Sequence, residues 1–431
     1  MRFLVCISLC IVLLAVAGVG PVGATHGCAF PYVTTDATGA EVRIPADPDR
    51  IVTLTPSAAQ TMWEIDAFDE VVGTSAYAGY LPGTEETEVV SAETDQAMIE
   101  RVIDLEPTLV LVPNASHDPA VVDQLRALAI PTVVFAERSS LEDIAQQTTR
   151  IGRLTGNCAA GRLRAAQLRA TIDAMESATD GVAHPSGLNS FYGYSAGAAT
   201  FTDDIMRTAG VSNLAATRFA GWQQLSEEVV ATSDPEWIIA PEGSPIPDSP
   251  AYRSTTAVRT GQIVYLDTNE LQQPAPRAVN ATATVLGKVH PQVYDELRAS
   301  GPWYPIDDPP RFETATATRA EGVVTVTVRP ATPVAAVQVT PSWGESVTLE
   351  QPDATGRYEL DLAVPAAAAD AHLHVGLQGR DGLSSVRVLS AATGETAPTP
   401  PAESPTRLRL LPAVVAALAA PLLWVLVRRR R

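Results

Sequence analysis

The sequence predicts an α/β protein with two Rossmann-like lobes, bridged by one long helix and followed by a small all-β sandwich and a C-terminal transmembrane helix. Three observations support this prediction. Short apolar runs alternate with helix-like stretches over residues 51–155, and the alternation starts again over 188–297. Residues 159–178, between these regions, are rich in Ala, Leu and Arg. After Pro302 the apolar residues recur at every second position, which is typical of β-strands.

The first lobe, residues 28–157, begins with an opening hairpin and continues as strands and helices in alternation. A helix that ends at Ile65 is expected to be capped by Ser57 or a neighbour. The other predicted helices cover 97–105, 120–129 and 141–155, and the predicted strands cover 51–54, 71–74, 109–112 and 132–135. Such alternation predicts a parallel sheet with both faces covered.

The bridging segment, residues 158–180, predicts a helix about 30 Å long. The second lobe, residues 181–300, repeats the alternation. Its predicted strands cover 188–194, 237–240 and 263–266, and its predicted helices cover 203–209, 225–231 and 277–297. Pro291 predicts a kink in the last helix, because proline lacks the backbone N–H that a helix needs.

The third region, residues 311–392, predicts an all-β sandwich of immunoglobulin-like type. Its predicted strands cover 323–329, 334–340, 346–349, 358–364, 371–377 and 385–389. A linker rich in Pro and Thr follows over residues 393–407. Its composition indicates a flexible or partly extended segment.

Both ends of the chain carry membrane signals. An apolar run follows Arg2 and ends before Val22-Gly23-Ala24, which predicts a secretory signal peptide over residues 1–24. Residues 408–427 are long and apolar enough to span a bilayer, and four arginines follow them. Those arginines place the C-terminus inside the cell. We therefore expect an extracellular domain anchored to the membrane by its C-terminal helix; a buried core helix is the alternative.

The charge balance restricts the partners. The chain has 30 basic and 49 acidic residues, a formal net charge of -19, which disfavours a nucleic-acid partner. Lys288 is the only lysine. This acidic, lysine-poor composition resembles that of haloarchaeal proteins, whose carboxylates keep them soluble at high salt. A GC-rich genome with an acidic bias is the alternative.

Two cysteines remain once the signal peptide is removed, Cys28 and Cys158. A secreted protein folds in an oxidising compartment, so the sequence predicts a disulfide between them. Lipidation of Cys28 is the alternative, although residues 25–28 form a poor lipidation signal.

Six short motifs follow one another between residues 32 and 297. They are the segments 35–42, 50–57, 99–110 and 197–210, the pattern Trp222-x-Gln-x-Ser-x-Glu228, and Pro276-Arg277. In this order and spacing they resemble the substrate-binding proteins of ABC importers for cobalamin and ferric siderophores. The resemblance implies two lobes on a rigid helix, with a cleft between them and little hinge closure.

The resemblance also implies roles for single residues. Glu100 and Glu228, one on each lobe, are expected to dock into arginine pockets of the permease. Tyr77, Tyr80 and Trp222 are expected to contact the ligand, because aromatic rings suit a flat macrocycle. Arg277 is expected either to approach the cleft or to cap a helix. Solvated acids and ordinary aromatic packing are the alternatives.

One motif favours an enzyme instead. Gly193-Tyr194-Ser195-Ala196-Gly197 follows a predicted strand, as in the nucleophile elbow of α/β-hydrolases, and Asp267 and His290 follow in the order of a catalytic triad. An elbow needs its helix directly after the serine, whereas here Thr202 is the expected cap. His372 and His374 share one strand face, which without a third ligand is weak support for a metal site.

We therefore expect an extracellular binding protein without enzymatic activity or cofactor. Its expected partners are an ABC permease with its ATPase subunit, a corrinoid or ferric siderophore ligand, and the membrane. A surface receptor or adhesion protein that reuses the fold without transport is the alternative, and a serine hydrolase based on Ser195 is a further one.

Overall fold

The computed structural model describes residues 28–91, 98–112, 119–303, 307, 310–365, 371–379 and 383–391. The predicted signal peptide, linker and membrane helix lie outside these residues. Within the described part of the chain, no helix combines the length and the apolar character needed to cross a membrane. The predicted mixed α/β class is confirmed by the elements that follow.

Within its described residues, the first lobe has seven strands and four α-helices. In chain order they are β1 Tyr32–Thr35, β2 Glu41–Ile44, β3 Ile51–Thr53, α1 Pro56–Glu64, β4 Val71–Thr74, β5 Glu88–Val89, α2 Ile99–Asp104, β6 Leu109–Val112, α3 Pro119–Ala127, β7 Thr132–Val134 and α4 Leu141–Leu154. Strands β1 and β2 form a hairpin, and the others form a parallel sheet in the order β5-β4-β3-β6-β7. Thr55, a neighbour of Ser57, caps α1 by accepting a hydrogen bond from the Ser57 N–H.

The bridging helix and the second lobe follow. Their elements are α5 Cys158–Thr179, β8 Ser186–Asn189, β9 Tyr194–Ala196, α6 Phe201–Thr208, β10 Ser212–Asn213, β11 Trp222–Gln224, α7 Glu227–Ser233, β12 Trp237–Pro241, α8 Pro250–Ser254, α9 Thr256–Thr260, β13 Ile263–Leu266, α10 Thr268–Gln272, α11 Ala278–Val289 and α12 Pro291–Ala299. The parallel sheet has the order β10-β8-β12-β13, and β9 pairs with β11 in a separate two-stranded antiparallel sheet.

Two predicted elements of the second lobe differ from the structure. The predicted strand over 188–194 ends at Asn189, because Tyr192 and Gly193 adopt positive φ angles that turn the chain. The predicted helix over 277–297 is two helices, which separate at His290 directly before Pro291. In both places a local backbone constraint divides a segment that was predicted to be continuous.

The C-terminal region consists of two antiparallel sheets around a shared apolar core. Its strands are β14 Phe312–Ala320, β15 Val323–Pro330, β16 Ala336–Pro341, β17 Val347–Leu349, β18 Tyr358–Ala363, β19 His372–Gln378 and β20 Ser384–Ser390. One sheet has the order β14-β15-β18 and the other β17-β16-β19-β20. We call residues 310–391 the β domain. Strand β14 escaped prediction because alternating Ala and Thr give it few large apolar side chains.

The β domain packs directly on the lobes. Strand β20 contacts α5, and Val386 packs against the apolar core of the first lobe. Arg387 pairs with Asp66, just after α1, with the guanidinium 2.7 Å from the carboxylate. The predicted disulfide between Cys28 and Cys158 is confirmed and ties the chain before β1 to the start of α5.

Glu70 lies beside the start of the bridging helix, where the Asn157 amide donates hydrogen bonds to both of its carboxylate oxygens (3.0 and 3.1 Å). Burial raises the pKa of Glu70 from 4.5 to about 8, although the Asn157 hydrogen bonds lower it. The nearby Asp47 raises the Glu70 pKa further. Below about pH 8 the folded protein therefore holds a proton here that the unfolded chain releases near its lower pKa.

We expect Glu70→Gln to change stability in a pH-dependent way. The contribution of Glu70 to the free energy of unfolding is complete below pH 4.5. It is lost as the pH rises to about 8, because folding then requires proton uptake. The variant should be more stable than the wild type at pH 8 and lose this advantage towards pH 4.5. Urea unfolding at constant KCl measures the difference. Glu86→Gln, the same substitution at an exposed acid of the first lobe, is the control. An equal shift at both pH values would contradict the assignment.

Candidate functional site

Two aromatic residues, Tyr192 and the predicted Tyr77, lie after the carboxyl ends of parallel strands. Tyr77 follows β4 in a short 3₁₀ turn, Ala76–Ala78, whose cap Ser75 accepts a hydrogen bond from the Tyr77 N–H. Tyr192 follows β8. The strand order reverses between β3 and β6 in the first lobe and between β8 and β12 in the second. Open α/β sheets bind ligands at the carboxyl ends of their strands, at such reversals.

Tyr80 belongs to a polar network in the first lobe. Its hydroxyl donates a 2.8 Å hydrogen bond to Oε1 of Gln60, a side chain on α1 that is only 1% exposed. Burial raises the pKa of Tyr80 above its ordinary value, although the nearby Arg277 charge lowers it. Tyr80 is therefore a neutral hydrogen-bond donor. Among the described residues, the Gln60 amide nitrogen has no hydrogen-bond partner.

Arg277, which precedes α11 in the second lobe, reaches across to the first lobe. Its Nε lies 2.8 Å from Oε1 of Glu64, a carboxylate that is 2% exposed. The same guanidinium lies over the indole ring of Trp63, with 4.5 Å between its central carbon and the ring centroid. Arg277 thus links the two lobes, and its contact with a ligand stays a prediction.

Trp222 joins an aromatic group in the second lobe. The rings of Phe191 and Trp222 meet edge to face with centroids 6.0 Å apart, and Phe191 meets Tyr192 at 5.1 Å. Tyr192 has a φ of 48°. Residues other than glycine rarely adopt this conformation, so the surrounding packing must hold it. Phe191 and Tyr192 were missed in the sequence; their position between the end of a strand and Gly193 was the available signal.

Comparison with known proteins adds to this geometry. Residues 51–270 match the family described as periplasmic binding proteins. The chain belongs to this family. A cobalamin-binding protein of Halobacterium salinarum is 36% identical over 310 residues, which cover 66% of this chain and 84% of that protein.

Solved structures of periplasmic binding proteins share the fold. A heme-binding protein from Roseiflexus sp. RS-1 matches with a TM-score of 0.51 and 24% identity, over 58% of this chain and 99% of its own. The vitamin B12-binding protein of Vibrio cholerae matches with a TM-score of 0.50 and 20% identity, over 59% of this chain and 99% of its own. At these identities the likeness concerns the fold alone.

Glu100 and Glu228 occupy equivalent places on the two lobes of this periplasmic binding protein. Each is exposed and lies in the first turn of a short helix, α2 or α7 respectively. An acid at that position also favours the helix by itself, because the helix N-terminus carries partial positive charge. Their role in docking a permease stays a prediction.

The hydrolase arrangement is absent from the described structure. Ser195 lies within strand β9 and is 1% exposed, and the next helix begins only at Phe201 with Thr200 as its cap, not Thr202. The Asp267 carboxylate instead accepts hydrogen bonds from the N–H groups of Asn269 and Glu270. A ring nitrogen of His290 bonds to the Gly210 carbonyl. These three side chains, all within the described residues, form no hydrogen bond with one another.

The histidine pair lies on β19 of the β domain. Burial lowers the pKa of His374, and the charges of His372 and Arg162 lower it further. In the described ranges, no group of three or more His, Cys, Asp or Glu residues could hold a metal ion. In the sequence, both histidines are far from the residues predicted to contact a ligand, and we assign no binding role to them.

We expect Glu64→Gln to destabilise the protein by about 2–4 kcal/mol, because it removes the buried charge that faces the Arg277 guanidinium. Urea unfolding at constant KCl measures this loss. Glu142→Gln is the matched control, since Glu142 pairs with Arg169 at an exposed site, where an ion pair contributes about 0–1 kcal/mol. Equal losses in the two variants would contradict a special role for the pair between the lobes.

Proposed function

We propose that this chain is the extracellular substrate-binding component of an ABC importer and that its ligand is cobalamin or a related corrinoid. The observation that carries the proposal is the 36% identity to a cobalamin-binding protein of which the chain covers 84%. The vitamin B12-binding protein of Vibrio cholerae, among the structural neighbours, has the same fold. The proposed action is binding, without catalysis.

The side chains at the strand ends support a flat ligand with polar edges. Tyr192 and Trp222, which pack around the buried Phe191, offer aromatic surface on the second lobe, and Tyr77 and Tyr80 offer it on the first. The basic residue expected at the cleft, Arg277, already faces the Glu64 carboxylate. Its charge is therefore largely compensated within the protein, which favours a corrinoid over a strongly anionic siderophore.

Two further parts of the proposal concern delivery. Residues 1–24 direct secretion, and residues 408–427 anchor the protein to the cytoplasmic membrane, so that the lobes lie on the cell surface. Glu100 and Glu228 dock the loaded protein on the permease, which the ATPase subunit drives. A receptor or adhesion protein with this fold would bind the same ligand without needing these two carboxylates.

Titration of the full chain with cobalamin in molar KCl tests the ligand. We expect saturable quenching of tryptophan fluorescence, and Trp222→Ala should weaken binding about tenfold or more, because an aromatic contact is lost. Trp343→Phe in the β domain controls for changes in emission unrelated to the site. If a ferric siderophore or heme binds saturably and cobalamin does not bind, the ligand assignment changes to that molecule. Binding of none of them would contradict the proposal.

Charge reversal at the two acids tests delivery. We expect the double variant Glu100→Arg, Glu228→Arg to lose cobalamin uptake by cells while the purified protein keeps its affinity, because only the permease contact is removed. Glu227→Arg, at the neighbouring exposed acid of the same helix turn, is the matched control and should keep uptake. Normal uptake by the double variant would contradict the docking roles of Glu100 and Glu228 and would favour a receptor.

A further inference from the structure

Three parts of the protein meet at Trp63, near the C-terminal end of α1. Arg277 of the second lobe lies over its indole ring, with the guanidinium carbon 4.5 Å from the ring centroid. Arg311, at the start of the β domain, lies over the same ring at 3.1 Å. The ring of one residue in the first lobe is therefore shared by cations from the second lobe and the β domain.

Arg311 also holds the backbone of Trp63. Its guanidinium donates a 3.1 Å hydrogen bond to the Trp63 carbonyl, in the last turn of α1. The same carbonyl also accepts a 3.2 Å hydrogen bond from the Asp66 N–H, and carbonyl groups at a helix C-terminus carry partial negative charge that favours a cation. Because the Arg311 guanidinium binds both the ring and the carbonyl of Trp63, it restricts the rotation of the Trp63 side chain as well as its position.

The docking of the β domain fixes the place of Arg311. Arg164 of α5 is 3% exposed and donates to the carbonyls of Glu64 (2.7 Å) and Ser384 (3.0 Å). It also donates to the Ser385 hydroxyl, which in turn donates to the Pro310 carbonyl. Pro310 directly precedes Arg311. The bridging helix, α1 and the segment that carries Arg311 thus form one continuous hydrogen-bonded unit.

We propose that the β domain takes part in ligand binding at a distance: Arg311 acts through Trp63 as a positioning residue for Arg277 and Glu64 between the lobes. This inference rests on the proposed function. Without the Arg311 guanidinium, the indole can turn, and Arg277 loses the surface that holds it in line with Glu64. The β domain is then a component of the binding site, and its undocking lowers affinity for the ligand.

A double-mutant cycle on the full chain tests the inference, with cobalamin as the probe. We expect Arg311→Ala to raise the Kd about five- to twentyfold, a usual range for coupling between sites. Arg277→Ala should raise it at least as much, and adding Arg311→Ala to it should raise it no further, because Arg311 acts through Arg277. Arg329→Ala, at a half-exposed β-domain arginine paired with Glu313, is the matched control. Additive effects, or an unchanged Kd in Arg311→Ala, would overturn the inference.

A ligand-free measurement separates this inference from the proposed function. We expect amide hydrogen exchange over residues 275–280 to be faster in Arg311→Ala than in the wild type and in Arg329→Ala. Arg311→Lys should give an intermediate rate, because lysine keeps the charge but lacks the planar fork; it also serves if the alanine variant fails to fold. Unchanged exchange in both Arg311 variants would overturn the inference, whether or not the wild type binds cobalamin.

Discussion

The C-terminal end of helix α1 is the point on which the arrangement of this protein depends. Its carbonyl groups and the carboxylates of Glu64 and Asp66 attract guanidinium groups from every other part of the molecule. These are Arg164 from the bridging helix, Arg277 from the second lobe, and Arg311 and Arg387 from the β domain. Buried charges are tolerated only when paired with good geometry, so each contact admits few orientations of the part that supplies it.

The two lobes on either side of the C-terminal end of α1 contribute different kinds of side chain. On the first lobe, Tyr80, Gln60 and Glu64 form a polar network whose members are mostly held by protein partners. On the second lobe, Tyr192 and Trp222 offer aromatic surface and pack against the buried Phe191. In the proposed binding mode, a flat ligand between the strand ends meets the tyrosines of the first lobe, which this network supports from beneath, and the rings of the second lobe.

The β domain lies against the lobes through strand β20. Strand β20 contacts Arg164 at its first residue, Ser384, and runs to Ser390, about 20 Å further at the usual rise of a strand. Ala391 then pairs with Ala371 at that far end. The first half of β20 therefore lies against the bridging helix and the first lobe, where Val386 and Arg387 also make contact. The docked face of the β domain makes it part of the binding protein and not only a spacer.

The sequence by itself determined the features that local patterns encode. Short apolar runs defined the strands at 71–74, 109–112 and 263–266 with their observed bounds. Two remaining cysteines defined the disulfide, and ordered motifs defined the family. The tertiary structure alone decided which side chains meet. Arg277 and Glu64 lie 213 positions apart, Ser195 is turned inward by pairing between β9 and β11, and β14 exists because β15 offers it a partner. Such contacts depend on how distant segments pack, and no local run of residues records that packing.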